Sequence, residues 1–85
     1  TRALAHQWGR DGIRVNAIAP GYHHTEMTRP LWSDPLMADK IAERSAAKRW
    51  GTADDLVGPT LFLCSDAASF VTGAVLPVDG GYHTG

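Results

Sequence analysis

Apolar positions along the chain fall into two short extended runs and three stretches of helical spacing, set apart by glycine, proline and charged residues. Leu4 and Trp8 stand four apart, so Thr1 to Arg10 is expected to be helical, and Asp11-Gly12 supplies the chemistry that ends it. Ile13, Val15 and Ala17 alternate, and Ile18 with Ala19 makes the far end apolar on both faces, which predicts a buried strand over Ile13 to Ala19. Pro20-Gly21 ends that strand, because proline offers no N–H to a ladder and glycine tolerates a sharp exit. A second apolar run, Ala74 to Val78, is bounded by Gly73 and by Asp79-Gly80-Gly81 and reads as a short strand. Pro77 places it at a sheet edge or leaves that position unpaired.

Between the strands the composition turns polar and aromatic from about residue 22 to residue 50, and Pro30 and Pro35 interrupt any long element. Asp34 can cap a helix that begins at Pro35 and runs to about Ala46, with Met37, Ile41, Ala38 and Ala42 on neighbouring ridges. Thr52 followed three residues later by Asp55 has the spacing of a capping box and predicts another helix. Val57, Leu61 and Cys64 then form a stripe expected to be buried, and Pro59 is expected to kink the first turns. More than fifty residues separate the strands, so a parallel, right-handed crossover is favoured over a hairpin. The fold class is α/β. Two strands cannot make a sheet covered on both faces, so Ile13 to Ala19 is expected to need neighbours this chain lacks.

Composition narrows the function. Of 85 residues, 44% are apolar and 20% charged, which excludes disorder, and the length allows one small core but not two domains. A net charge of −1 argues against nucleic-acid binding. No apolar run approaches the roughly 20 residues of a membrane span, and no basic segment with a following apolar stretch marks a secretory signal. The lone Cys64 fits a reducing compartment, and a cytoplasmic location is expected. No histidine or lysine stands near it in sequence to activate it, so it is not read as a nucleophile. The chain opens on Thr1 directly in a helical pattern, the expectation for a piece of a longer protein.

Taken in order, RDGIRVNAIAPG at Arg10 to Gly21, Thr25 four residues beyond it, RWG at Arg49 to Gly51 and LFLCSDAASFVTGAVLPVDGGY at Leu61 to Tyr82 resemble the C-terminal third of a short-chain dehydrogenase/reductase. Within that family the pattern looks closest to members acting on sugar acids, polyols or 3-oxoacyl thioesters. The resemblance implies a doubly wound parallel sheet of Rossmann type. Ile13 to Ala19 would be its sixth strand, residues 22–50 its substrate-binding excursion, Thr52 to Ser65 its last long helix and Ala74 to Val78 its seventh, edge strand. It also implies NAD or NADP as cofactor, a small carbonyl or alcohol as substrate, and a homo-oligomer formed through the last helix and the edge strand. The family's glycine-rich turn and its catalytic Ser, Tyr and Lys lie upstream of this segment. Tyr22 is followed four residues on by Glu26 and Tyr82 by no residue at all, so neither begins a YxxxK pair. No catalytic residue is assigned, and the 85 residues alone are expected to be inactive. A non-catalytic, self-associating or complementing piece of such a protein is the alternative.

The same resemblance assigns cofactor contact to Pro20, Gly21, His23 and Thr25, and substrate contact to Tyr22, His24 and Trp32. Read without it, Pro20-Gly21 is a strand-ending turn and Thr25 a helix-capping threonine. His23 departs from the apolar residue usual in the family; its backbone can still serve, and its ring is expected to be an exposed loop side chain. His23, His24 and His83 do not make a metal site, because adjacent histidines point apart and His83 falls on the tail. Trp50 is assigned to packing, Arg49 to a structural charge, and Asp79-Gly80-Gly81 to a turn that opens no helix.

Overall fold

The computed structural model describes all residues from Thr1 to Gly85. Helix α1 (Arg2–Trp8) passes through a 3₁₀ turn, Gly9–Asp11, and leads to strand β1 (Ala17–Pro20). Helices α2 (Arg29–Trp32), α3 (Pro35–Arg44) and α4 (Val57–Cys64) follow, and strand β2 (Val75–Val78) completes a two-stranded sheet. The strands run parallel, with Ala17 opposite Val75 and Pro20 opposite Val78. No helix is long and apolar enough to cross a membrane.

Strand β1 is shorter than Ile13 to Ala19 and takes in Pro20. The reason lies in side chains that substitute for the backbone ladder. Asn16 donates from Nδ2 to the Val71 carbonyl at 2.9 Å and accepts from the Ala74 N–H at 3.1 Å. The Val15 N–H donates to Thr72 Oγ1 at 3.1 Å. These bonds satisfy the extended lead-in without a regular strand. Arg14 reaches from the same lead-in to the Leu63 and Ser65 carbonyls at 2.8 and 3.2 Å, holding the open C-terminal end of α4. Ala17 and Gly21 donate to the carbonyls of Ala74 and Val78. That alternation turns the nitrogen of Pro77 away from β1, so the proline costs the sheet no bond.

Both expected caps form. Asp34 Oδ1 accepts from the Leu36 N–H at 3.1 Å and starts α3, which ends at Arg44, two residues before the expected Ala46. Thr52 and Asp55 make the capping box, but the first turn behind it, Ala53–Leu56, is 3₁₀. The change to α-helix occurs two residues before Pro59, which then sits in the first turn of α4 where its missing N–H is harmless. Helix α2 was not anticipated. Pro30 lies in its first turn and permits the helix it was expected to interrupt.

The stripe on α4 is not buried. Val57 is 52% exposed, Leu61 64% and Phe62 44%, Cys64 is exposed as well, and Val75 of β2 is 55% exposed. The helix is apolar on this side, but no other segment of the chain packs against it. Only Ala5, Ile41 and Ala68 are buried apolar residues. The accessible surface of 6139 Å² compares with about 4,900 Å² for a closed monomer of 9.1 kDa. The radius of gyration of 15.5 Å compares with about 12 Å. This segment therefore does not close a core around itself.

Candidate functional site

Parallel pairing brings the C-terminal ends of β1 and β2 to the same end of the sheet, where Gly21 donates to the Val78 carbonyl at 3.0 Å. Gly21 also lies flush against Asp79. A Cβ at position 21 would stand 2.5 Å from Asp79 Cβ and 2.7 Å from its Cα, so only glycine lets the two exits run side by side. The Asp79 side chain is 13% exposed. Its Oδ1 accepts from the Gly81 N–H at 3.0 Å, and its Oδ2 accepts from the N–H and the Nδ1 of His83 at 3.2 and 2.8 Å. Burial pushes this carboxyl up, yet the His83 ring and the backbone donors outweigh it and hold the carboxyl below its ordinary value. His83 is thus not a free tail residue, as sequence suggested. Asp79 ties it beside the strand ends, and Asp79-Gly80-Gly81 opens a single 3₁₀ turn, Tyr82–Thr84.

His23 corrects a second expectation. It is 6% exposed, the only buried ionisable side chain, and not an exposed loop histidine. Its Nδ1 stands 3.1 Å from the Gly21 carbonyl, and because a carbonyl only accepts, Nδ1 carries the hydrogen. The ring lies over Gly51, where an added Cβ would be 2.5 Å from Cδ2. Residues 23 and 51 form a one-residue parallel bridge, in which Gly51 donates to the Tyr22 carbonyl at 2.9 Å and His24 to the Gly51 carbonyl at 2.8 Å.

Aromatic residues flank this junction in two groups. Tyr22 meets Trp50 edge-on at 5.7 Å and Tyr82 at 5.1 Å, and the Arg44 guanidinium lies 4.9 Å over the Tyr82 ring. Trp50 Nε1 donates to the Ala38 carbonyl at 3.0 Å, which fixes the end of the excursion to α3. Separately, His24 stacks on Trp32 at 3.9 Å, and Trp32 Nε1 donates to the Thr25 carbonyl at 2.7 Å. Thr25 caps no helix: Thr28 precedes α2, and its hydroxyl donates to the His23 carbonyl at 2.6 Å. Arg49 bonds Asp55 at 2.9 and 3.2 Å, a structural charge that holds the Asp55 carboxyl well below the usual carboxylate range.

Two open clefts result. One, of about 420 Å³, is bordered by Pro20, Gly21, Thr28 and Tyr82, and the other, of about 320 Å³, by His23, Gly51, Arg49 and Gly80, while Tyr22, Asp79 and His83 border both. The structure therefore gathers Pro20 and Gly21 on one cleft, puts the His23 ring on the other with Tyr22 between the two, and sets His24, Thr25 and Trp32 on the adjoining turn. The three histidines engage Gly51, Trp32 and Asp79 separately, and no three His, Cys, Asp or Glu side chains converge as metal ligands. Gly51, Asp79 and Tyr82 were missed by sequence reasoning. Parallel pairing was the available signal for Asp79, since it brings residue 79 beside residue 21.

Residues 1–83 match the family model described as enoyl-(acyl carrier protein) reductase. The chain is 49% identical over 81 residues to the gluconate 5-dehydrogenase of Gluconobacter oxydans, covering 95% of this chain and 32% of that protein. It is 46% identical over 82 residues to the 2-dehydro-3-deoxy-D-gluconate 5-dehydrogenase of Bacillus subtilis, covering 96% and 32%. The crystal structure of a gluconate 5-dehydrogenase from Burkholderia cenocepacia, in complex with NADP and tartrate, superposes with a TM-score of 0.96 at 42% identity, over 100% of this chain and 33% of that one. The chain spans about a third of the length of the curated relatives it matches. Its two parallel strands and flanking helices are the C-terminal part of a Rossmann-type sheet, and the chain belongs to the short-chain dehydrogenase/reductase family.

Proposed function

We propose that this chain is the C-terminal portion of an NAD(P)-dependent, cytoplasmic oxidoreductase that moves hydride between the nicotinamide and a carbonyl or secondary alcohol of a sugar acid. The observation that carries the reading is the cleft beyond the carboxyl ends of two parallel strands, where ligands of open α/β sheets bind. At about 420 Å³ it falls within the roughly 300–1,000 Å³ of small-molecule sites, room for a nicotinamide end and a small substrate. Glycine at position 21 keeps its wall at backbone level. The names of the relatives, which concern gluconate and its keto derivatives, support the substrate class.

When bound, the cofactor supplies the hydride. This chain's own residues bind and orient it: Pro20, Gly21 and the backbone of His23 form the wall on the nicotinamide side, and the Thr25 hydroxyl is the side-chain donor of the same turn. Tyr22, and His24 stacked on Trp32, supply the aromatic surface for substrate. Proton transfer belongs to residues outside these 85. A second reading, a non-catalytic piece that associates with copies of itself, draws on the bare apolar side of α4 and β2. The deciding experiment is NADH and NADPH oxidation by the protein expressed from its full reading frame, with 5-keto-D-gluconate, a keto-polyol and a 3-oxoacyl thioester as substrates. Turnover fastest with the keto acid is expected, with none from the 85 residues alone. Turnover by the 85 residues, or none by the full product, would overturn the proposal.

A further inference from the structure

The buried imidazole of His23 is a group that the chemistry proposed above leaves unused. It makes two contacts: Nδ1–H donates to the Gly21 carbonyl, and the ring edge fills the notch left by the missing side chain of Gly51. Those two contacts join segments of different origin. Gly21 belongs to the exit of β1, and Gly51 lies where the excursion over residues 22–50 returns to the body just ahead of the capping box. The backbone bridge alone fixes which residues face each other. The Gly21 N–H, bonded to Val78, fixes the peptide before that glycine, but the Gly21 carbonyl, part of the next peptide, is held by the His23 ring.

We propose that His23 is a positioning residue: its ring locks the Gly21 peptide to Gly51 and so sets the loop that receives the cofactor. The part that concerns the cofactor rests on the function proposed above. A purely apolar side chain would fill the notch but could not hold the carbonyl, whereas a short amide would hold the carbonyl and leave the notch partly empty. The two roles are therefore separable by substitution.

In the protein expressed from its full reading frame, His23→Phe keeps the packing and removes the bond. Its KM for the cofactor is expected to rise about three- to tenfold, the worth of one hydrogen bond, with kcat changed less than about twofold. His23→Asn restores the donor, and its KM is expected within about twofold of wild type. Exchange of the Gly51 and His24 amides, which needs no turnover, is expected to quicken in His23→Phe and not in His23→Asn. An unchanged cofactor KM in His23→Phe, or the same loss in both variants, would overturn the proposal. If the wild-type protein oxidises neither NADH nor NADPH, the functional reading fails by itself and amide exchange decides whether the ring is a lock. If His23→Phe does not fold, the nitrogen shifts of wild-type His23 decide: hydrogen on Nδ1 sustains the lock, and hydrogen on Nε2 alone refutes it.

Discussion

The strand-end junction and the outer side of α4 are built from the same short chain and finished to different degrees. At the junction the buried polar side-chain atoms all have partners. Asp79 takes three donors, His23 reaches Gly21, and no buried side-chain nitrogen or oxygen is left without a bond. On α4 and β2, by contrast, Val57, Leu61, Phe62 and Val75 keep about half of their surface in water. Hydrogen bonds and caps need only a few groups at fixed short distances, and two parallel strands suffice to bring them together. Apolar burial needs a second layer, and this chain has no layer to spare. The junction carries its own order, and the helix surface awaits a cover.

That comparison breaks most severely at Leu61. If the rest of the sheet covers α4 in the full-length protein, Leu61→Lys places an unpaired ammonium in an apolar layer and is expected to cost about 3 kcal/mol or more. In the 85 residues alone the same change touches only water and is expected to alter stability by less than about 0.5 kcal/mol while reducing self-association. Urea unfolding of the first and sedimentation of the second read the two effects. Equal, small effects in both would show that the surface is not an interface at all.

Next in size is the junction itself. Gly51→Ala drives a methyl group into the His23 ring and is expected to destabilise by about 1–3 kcal/mol. Removing the ring with His23→Ala opens the space the new methyl group needs. The double variant is therefore expected to fall short of the summed losses by about 1 kcal/mol or more in a denaturant cycle. Additive losses would mean that the two residues do not press on one another.

These two regions also mark what the sequence made legible. Caps were readable because Asp34 with Leu36, and Thr52 with Asp55, lie within three positions of each other and act through side-chain chemistry. Pro77 was readable as an edge residue for the same local reason. The place of the cleft followed from Pro20-Gly21 at the end of an apolar run. The strand start failed at Asn16, whose amide does the work of backbone and has no periodicity to betray it. The stripe Val57, Leu61, Cys64 was correctly seen as apolar, but spacing says which side of a helix wants burial and not whether anything lies opposite. The burial of His23 depends on the missing side chain of Gly51, a contact between distant segments that neither local pattern contains.

The smallest expected effect lies at the far rim of the junction, where Asp55 accepts from Arg49 and from the Thr52 N–H at 2.7 Å. The guanidinium is the main reason the carboxyl is held well below the unfolded value of about 3.9, the Thr52 N–H adds to it, and burial opposes both. A carboxyl lowered in the folded state binds its proton more readily when unfolded. Its stabilisation is therefore fully present above about pH 4–5 and drains away as pH falls through the unfolded value towards the folded one. Asp55→Asn keeps an acceptor for Thr52 but loses the charge. Its melting temperature is expected to lie slightly below wild type at pH 7, with the gap narrowing below pH 4 and smaller, though not closed, at pH 2. Because the pair is open to solvent, 1 M salt, with a screening length of about 3 Å, should shrink the gap at pH 7 as well. Asp79 is shifted in the same direction, so Asp55→Asn retains part of the acid slope and only the double variant with Asp79→Asn flattens it further. A gap that stays constant from pH 7 to pH 2 would mean that Asp55 acts through the shape of its cap and not through its charge.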